Sequence, residues 1–125
     1  MSQTVYKVLV ADDDPTVGLL MQAALSADHF SVTVVDDGMT ALAAFKQFRY
    51  DLILLDVEMP EMDGFEVCAA IRQQAAEKIP IILVTGHSDQ LFIDRATALG
   101  AGHISKPVDW SVLGMQLQEL LRTVR

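Results

Sequence analysis

Cysteine is nearly absent. The 125 residues include one, Cys68, so no internal disulfide can form, and the composition fits a reducing cytosol. Long apolar runs are also missing. The opening "MSQTVYKVLVADDD" holds no apolar stretch long enough for a signal peptide or a membrane span, so a soluble cytoplasmic protein without membrane association is expected. Basic residues are scarce. Nine Lys and Arg face 17 Asp and Glu, for a net charge of −8 and a pI near 4.6. That balance argues against direct nucleic-acid binding, which needs clustered cations, and leaves metal cations and basic protein surfaces as partners. Glycine-rich phosphate cradles are missing too. No G-x-G-x-x-G or G-x-x-x-x-G-K-[ST] follows any apolar run, which disfavours a nucleotide, flavin or dinucleotide site. There is no internal repeat, low-complexity segment or inter-domain linker. The length suits one domain over residues 1–125.

What is present is alternation. Hydrophobic residues make up 51% of the chain, enough for a real core. Short apolar runs "YKVLVA" (6–11), "FSVTVV" (30–35), "DLILLD" (51–56), "PIILVTG" (80–86) and "HIS" (103–105) read as strands. Between them lie helical patterns. In "PTVGLLMQAAL", Val17, Leu20, Met21, Ala24 and Leu25 share one helix face. "TALAAFKQF" (40–48), "DGFEVCAAIRQQ" (63–74), "SDQLFIDRATALG" (88–100) and "DWSVLGMQLQELL" (109–121) continue the series. Ser88 or Asp89 is the expected N-cap of the fourth helix and Gly100 its stop. Met21 and Cys68 fall on apolar helix faces and are expected in the core. Five βα units with unbroken apolar strands predict a doubly wound parallel α/β sandwich.

Sheets of this kind bind ligands outside the carboxyl ends of their strands. Right-handed crossovers bring those ends to one rim. The first strand ends in Asp12 and Asp13, the third in Asp56, the fourth in Thr85, and the fifth just before Lys106. Crowded carboxylates are costly: two unit charges about 4 Å apart repel by about 4 kcal/mol at an effective dielectric near 20. A hard divalent cation, Mg²⁺ or Mn²⁺, would relieve the repulsion; a proton held by one carboxylate is the alternative. Three acids sum to −3, which a divalent cation and Lys106 balance. A metal, a lysine and a threonine hydroxyl suit phosphoryl transfer, where the protein's task is positioning and charge neutralisation. An aspartate can itself be the nucleophile, giving an acyl phosphate.

The motifs "VADDDP", "LLDVEMPEMDG", "LVTG" and "ISKP" stand in order at the ends of strands one, three, four and five. Together they resemble the receiver domains of two-component response regulators, and the resemblance covers essentially the whole chain. It implies the flavodoxin-like (βα)5 fold with strand order 2-1-3-4-5. It implies that Asp56 accepts a phosphoryl group from a sensor histidine kinase or a histidine phosphotransfer protein. Asp13, Asp56 and the Glu58 backbone carbonyl would ligate Mg²⁺, with Asp12 acting through water. Lys106 and Thr85 would contact the phosphoryl group, and Gly86 would offer its backbone N–H beside it. The Lys106–Pro107 peptide would be cis. Residues Pro60 to Gly64 would form the turn after the phosphorylation loop. The output would be a change in the face made by the fourth and fifth helices and the last strand, acting on a C-terminal output domain, another partner or a homodimer. Such a domain catalyses only its own phosphorylation and dephosphorylation.

His103 departs from the family pattern, which usually has Tyr or Phe there, turning inward when the threonine moves. It is read either as a surface histidine or as a switch sensitive to protonation at about pH 6–7. His87 and Glu58 stand where the resemblance implies tuning of phosphoryl lifetime; His87 is equally a loop histidine, and His29 a surface one. The stripe Trp110, Leu113, Leu117, Leu120, Val124 packs on the sheet or continues as a heptad-like seam into another domain or a dimer. "KPVDW" before such a helix also resembles receivers joined to cyclic-dinucleotide synthesis or hydrolysis domains. Two other functional classes fit the sequence less well. Aspartyl-phosphate hydrolases of the haloacid-dehalogenase type carry Asp-x-Asp on the first strand, whereas here the candidate nucleophile follows the third. A degenerate receiver acting without phosphorylation conflicts with the intact set Asp12, Asp13, Asp56, Thr85 and Lys106. Within "DDDP", Asp14 precedes Pro15, a residue favoured at the first helical position, so Asp14 is expected to cap the first helix rather than join the rim.

Overall fold

The computed structural model describes residues 4–74, 78–86 and 89–123. His87, Ser88 and Val124 lie outside them. The strands are β1 (Tyr6–Ala11), β2 (Phe30–Val35), β3 (Leu52–Asp56), β4 (Ile81–Thr85) and β5 (Gly102–Ser105). The helices are α1 (Pro15–Ala24), α2 (Gly38–Gln47), α3 (Gly64–Gln74), α4 (Gln90–Ala98) and α5 (Leu113–Thr123). All pairings are parallel and the order is β2-β1-β3-β4-β5.

Alternation along each strand divides the core in two. Leu9, Ala11, Ile53, Leu55, Ile81 and Leu83 face one side, where Ala41, Val67, Cys68, Ile71 and Ala96 cover them. Val8, Val10, Leu52, Leu54 and Ile82 face the other, against Met21, Leu25, Leu113, Leu117 and Leu121. Residues 52–56 and 81–85 are buried throughout, so their unbroken apolar runs serve both layers at once. Leu113 and Leu117 of the C-terminal stripe are buried on the sheet, and Trp110 and Leu120 pack partly buried beside them.

Helix starts depart from the expectations in two places. The second helix begins at Gly38, ahead of Thr40, because the Asp37 carboxylate accepts the Thr40 N–H at 2.7 Å and so caps an earlier turn. The last begins at Leu113 rather than Asp109. There the Asp109 carboxylate accepts from the Ser111 N–H at 3.1 Å and the Ser111 hydroxyl at 2.6 Å, winding residues 109–112 into a side-chain-stabilised turn. Asp89 caps α4 through the Phe92 N–H at 3.1 Å. Asp63 and Glu66 form a reciprocal capping box on α3, each carboxylate taking the other's backbone N–H at 2.9 and 3.1 Å.

The end of α4 is tied down from outside. Gly100, at φ +67°, turns the chain in the left-handed region while the Ala101 N–H returns to the Ala96 carbonyl. Arg72 on α3 donates to the carbonyls of Leu99, Ile79 and Gly100 at 2.8, 2.7 and 2.9 Å. One guanidinium thus joins α3, the approach to β4 and the turn into β5.

Candidate functional site

Among the described residues, apart from Tyr6 and Cys68 in the apolar core, the buried polar side chains are Asp12, Asp56 and Thr85. All three sit at the C-terminal ends of neighbouring central strands. Parallel register explains the convergence. Ala11 lies beside Leu55 and Asp56 beside Val84, so the residues that follow each apolar run arrive at one level.

The carboxylates of Asp12, Asp13 and Asp56 each offer an oxygen within 4.8 Å of the others. The Lys106 ammonium reaches them from the end of β5, 3.1 Å from Asp56 Oδ1 and 3.7 Å from Asp12 Oδ2. Backbone donors add to it. The Asp14 N–H meets Asp12 Oδ1 at 2.9 Å and the Glu58 N–H meets Asp56 Oδ1 at 3.3 Å. Burial nevertheless pushes both Asp12 and Asp56 above the ordinary carboxylate range, and each is raised further by its acidic neighbours. Burial alone would lower Lys106. Its hydrogen bond to Asp56, and the charges of Asp56, Asp12 and Glu58, hold it above the usual lysine value. The ammonium is therefore firmly charged and the carboxylates are under-neutralised. An all-oxygen acidic set of this kind fits a hard divalent cation.

Neighbouring backbone holds Asp56 in place. Lys106 follows Thr85 in space, its N–H on the Thr85 carbonyl at 2.8 Å, and the Lys106–Pro107 peptide is cis. After β3 the chain turns sharply. Glu61 has φ 68°, and the Met62 N–H closes on the Pro60 carbonyl at 2.7 Å. Gly64 then returns against the strand, its N–H on the Val57 carbonyl at 3.0 Å. A Cβ at position 64 would stand 2.6 Å from the Asp56 carbonyl oxygen, so only glycine allows this approach.

The chain matches the family described as the response regulator receiver domain over residues 8–118. It belongs to that family. The receiver domain is 34% identical over 116 residues to the transcriptional regulatory protein CseB of Streptomyces avermitilis, covering 92% of this chain and 48% of that one. It is 32% identical over 117 residues to the DNA-binding response regulator MtrA of Mycolicibacterium smegmatis, covering 93% and 50%. The receiver thus spans about half the length of these curated relatives. Among solved structures it superposes on the chemotaxis protein CheY4 of Vibrio cholerae with a TM-score of 0.85 at 32% identity, over 93% of this chain and 98% of that one. The flavodoxin-like fold and the strand order expected from the motifs are both observed.

Within the receiver, Asp12, Asp13, Asp56 and Lys106 form one cluster. Asp14 stands apart: its Oδ1 accepts the Thr16 N–H at 2.9 Å as the N-cap of α1. Thr85 ends β4 beside Ser105. His103 is exposed on β5 next to Leu83, and it shares with Thr85, Phe65, Phe92 and Ala96 the lining of a small apolar cavity. The Gly86 N–H is directed at the Glu58 carboxylate, 3.3 Å from Oε1. Two features escaped the sequence reading. Gly64 has a local signal in "MDG", which marks a turn but not the close approach to the Asp56 backbone. Arg72 has none, since its partners lie 7 to 28 residues away.

Proposed function

We propose that Asp56 is the phosphoacceptor of a signalling receiver and that the domain passes this event to an output. The observation carrying the reading is the Asp56 carboxylate: buried, hydrogen-bonded to Lys106, and beside two further acids. A carboxylate oxygen of Asp56 attacks phosphorus as the bond from phosphorus to the donor's imidazole nitrogen breaks, the electron pair leaving with that nitrogen. Lys106 neutralises charge on the incoming phosphoryl oxygens, and Thr85 and Gly86 supply hydrogen-bond donors from the end of β4. Asp12, Asp13, Asp56 and the Glu58 backbone carbonyl are the groups to hold Mg²⁺ or Mn²⁺. When bound, that ion supplies the positive charge that lets anionic nucleophile and phosphoryl group approach.

The donor is a sensor histidine kinase or a histidine phosphotransfer protein. The output lies in a partner, a further domain or a homodimer reached through α4, β5 and α5. Residues 1–125 act as one domain, in the cytoplasm, and their acidic charge argues against direct DNA contact by the receiver itself. No helix among the described residues is long and apolar enough to cross a membrane.

Incubation with Mg²⁺ and a small phosphodonor, followed by intact-mass measurement, tests the central claim. One added phosphoryl group, lost in Asp56→Asn, is expected. No addition, or addition that persists in that variant, overturns the assignment.

A further inference from the structure

The Gly86 N–H is already taken. Gly86 follows Thr85 off the end of β4, and β4 runs beside β3 with Val84 level with Asp56. The donor therefore lies two residues past the level of the acceptor carboxylate. Glu58 closes the gap from the loop that follows β3. Its own N–H holds Asp56 Oδ1 at 3.3 Å while its side-chain Oε1 takes the Gly86 N–H at 3.3 Å. One residue thus ties the acceptor to the end of β4, by backbone on one side and by carboxylate on the other.

A carboxylate is the side chain most like a phosphoryl face: planar rather than tetrahedral, but anionic and rich in acceptor oxygens. We propose that the Glu58 carboxylate is a placeholder for the phosphoryl group, occupying the Gly86 N–H in the resting receiver and displaced from it on phosphorylation. This deepens the phosphoacceptor reading and rests on it. Two anions cannot share one N–H in a site already crowded with acids. The resting contact therefore opposes each phosphorylated state by the strength of one charge-assisted hydrogen bond at the surface. The displaced carboxylate has open space to enter. Glu58 is exposed and lines an open groove of about 410 Å³ that Arg95 also lines. There, Arg95 sits over the Phe65 ring at 3.9 Å, on the α4 side of the groove.

The test uses the whole chain, with beryllofluoride and Mg²⁺ as the phosphoryl analogue and the Gly86 amide followed by NMR. Glu58→Ala removes the carboxylate. Glu58→Asp keeps the charge but is one methylene too short. Glu58→Gln keeps the reach and an acceptor oxygen but loses the charge. Without the analogue, the Gly86 amide proton should move upfield in Glu58→Ala and Glu58→Asp and stay close to wild type in Glu58→Gln. Beryllofluoride should bind Glu58→Ala and Glu58→Asp roughly two- to fivefold more tightly than wild type, the loss of one exposed hydrogen bond. An unmoved Gly86 amide in Glu58→Ala overturns the placeholder while leaving Asp56 as acceptor. So does a Glu58→Asp variant that binds like wild type while Glu58→Gln binds more tightly, since charge rather than reach would then decide. Failure of wild type to bind the analogue, or binding that persists in Asp56→Asn, overturns the acceptor reading and the placeholder with it.

Discussion

Lys106 serves two carboxylates at once, 3.1 Å from Asp56 and 3.7 Å from Asp12. One positive charge is set against three acids, so the cluster is net negative by two when all three are ionised. The cluster's behaviour toward pH and divalent ions follows from this imbalance.

Asp12 and Asp56 both have pKa values raised above 3.8 by burial. In the window between 3.8 and the raised values, the folded state binds more protons than the unfolded state. Their contribution therefore weakens folding as pH rises through that window and levels off above it. In urea titrations without divalent ions, Asp56→Asn should remove part of this fall and be more stable than wild type at pH 7. Saturating Mg²⁺ should raise wild-type stability at pH 7 and leave Asp56→Asn little changed. Equal pH profiles for the two proteins would contradict the geometry of the cluster.

The three consecutive acids divide between the rim cluster and a helix cap. Asp13→Ala should abolish stabilisation by Mg²⁺, read as the shift in thermal midpoint on adding the ion. Asp14→Ala should cost about 1 kcal/mol from loss of the cap on α1 while keeping Mg²⁺ affinity nearly unchanged. Equal loss of Mg²⁺ affinity in both variants would place Asp14 in the rim after all.

Gly64→Ala drives a methyl group to 2.6 Å from the Asp56 carbonyl. Relief requires the start of α3 or the end of β3 to move. The variant should lose about 1–3 kcal/mol of stability, as overpacked sites do. It should also accept phosphoryl groups more slowly than wild type, measured by intact mass against time. Unchanged stability and rate would mean the turn adjusts without disturbing Asp56.

Arg72→Met keeps the aliphatic stem and strips the carbonyls of Leu99, Ile79 and Gly100 of their donors. Partial solvent access limits the cost to about 2 kcal/mol in urea unfolding. Arg72→Lys should recover little of it, because an ammonium lacks the planar fork that reaches three oxygens. Hydrogen exchange should speed up at Ala101, whose N–H closes the α4 turn.

Local sequence carried much of this protein. Apolar runs bounded by acids announced β1 and β3, and the order of "VADDDP", "LLDVEMPEMDG", "LVTG" and "ISKP" named the rim. These features were legible because strand burial and helix capping act within a few residues: Asp14 before Pro15, and Gly100 after α4. Even so, helix boundaries slipped where a side chain outcompeted the apolar pattern, as Asp37 did by starting α2 early and Asp109 by delaying α5.

What the sequence determined by itself was which residues end each strand, because alternation and capping are local. Tertiary structure alone decided what those ends do to one another. Burial depth raised Asp12 and Asp56, and parallel register set Lys106 between them. The same packing brought Gly64 against the Asp56 backbone, Arg72 onto three distant carbonyls and Glu58 onto the Gly86 N–H. Electrostatics and close approach depend on distances in space, and only the folded chain has those.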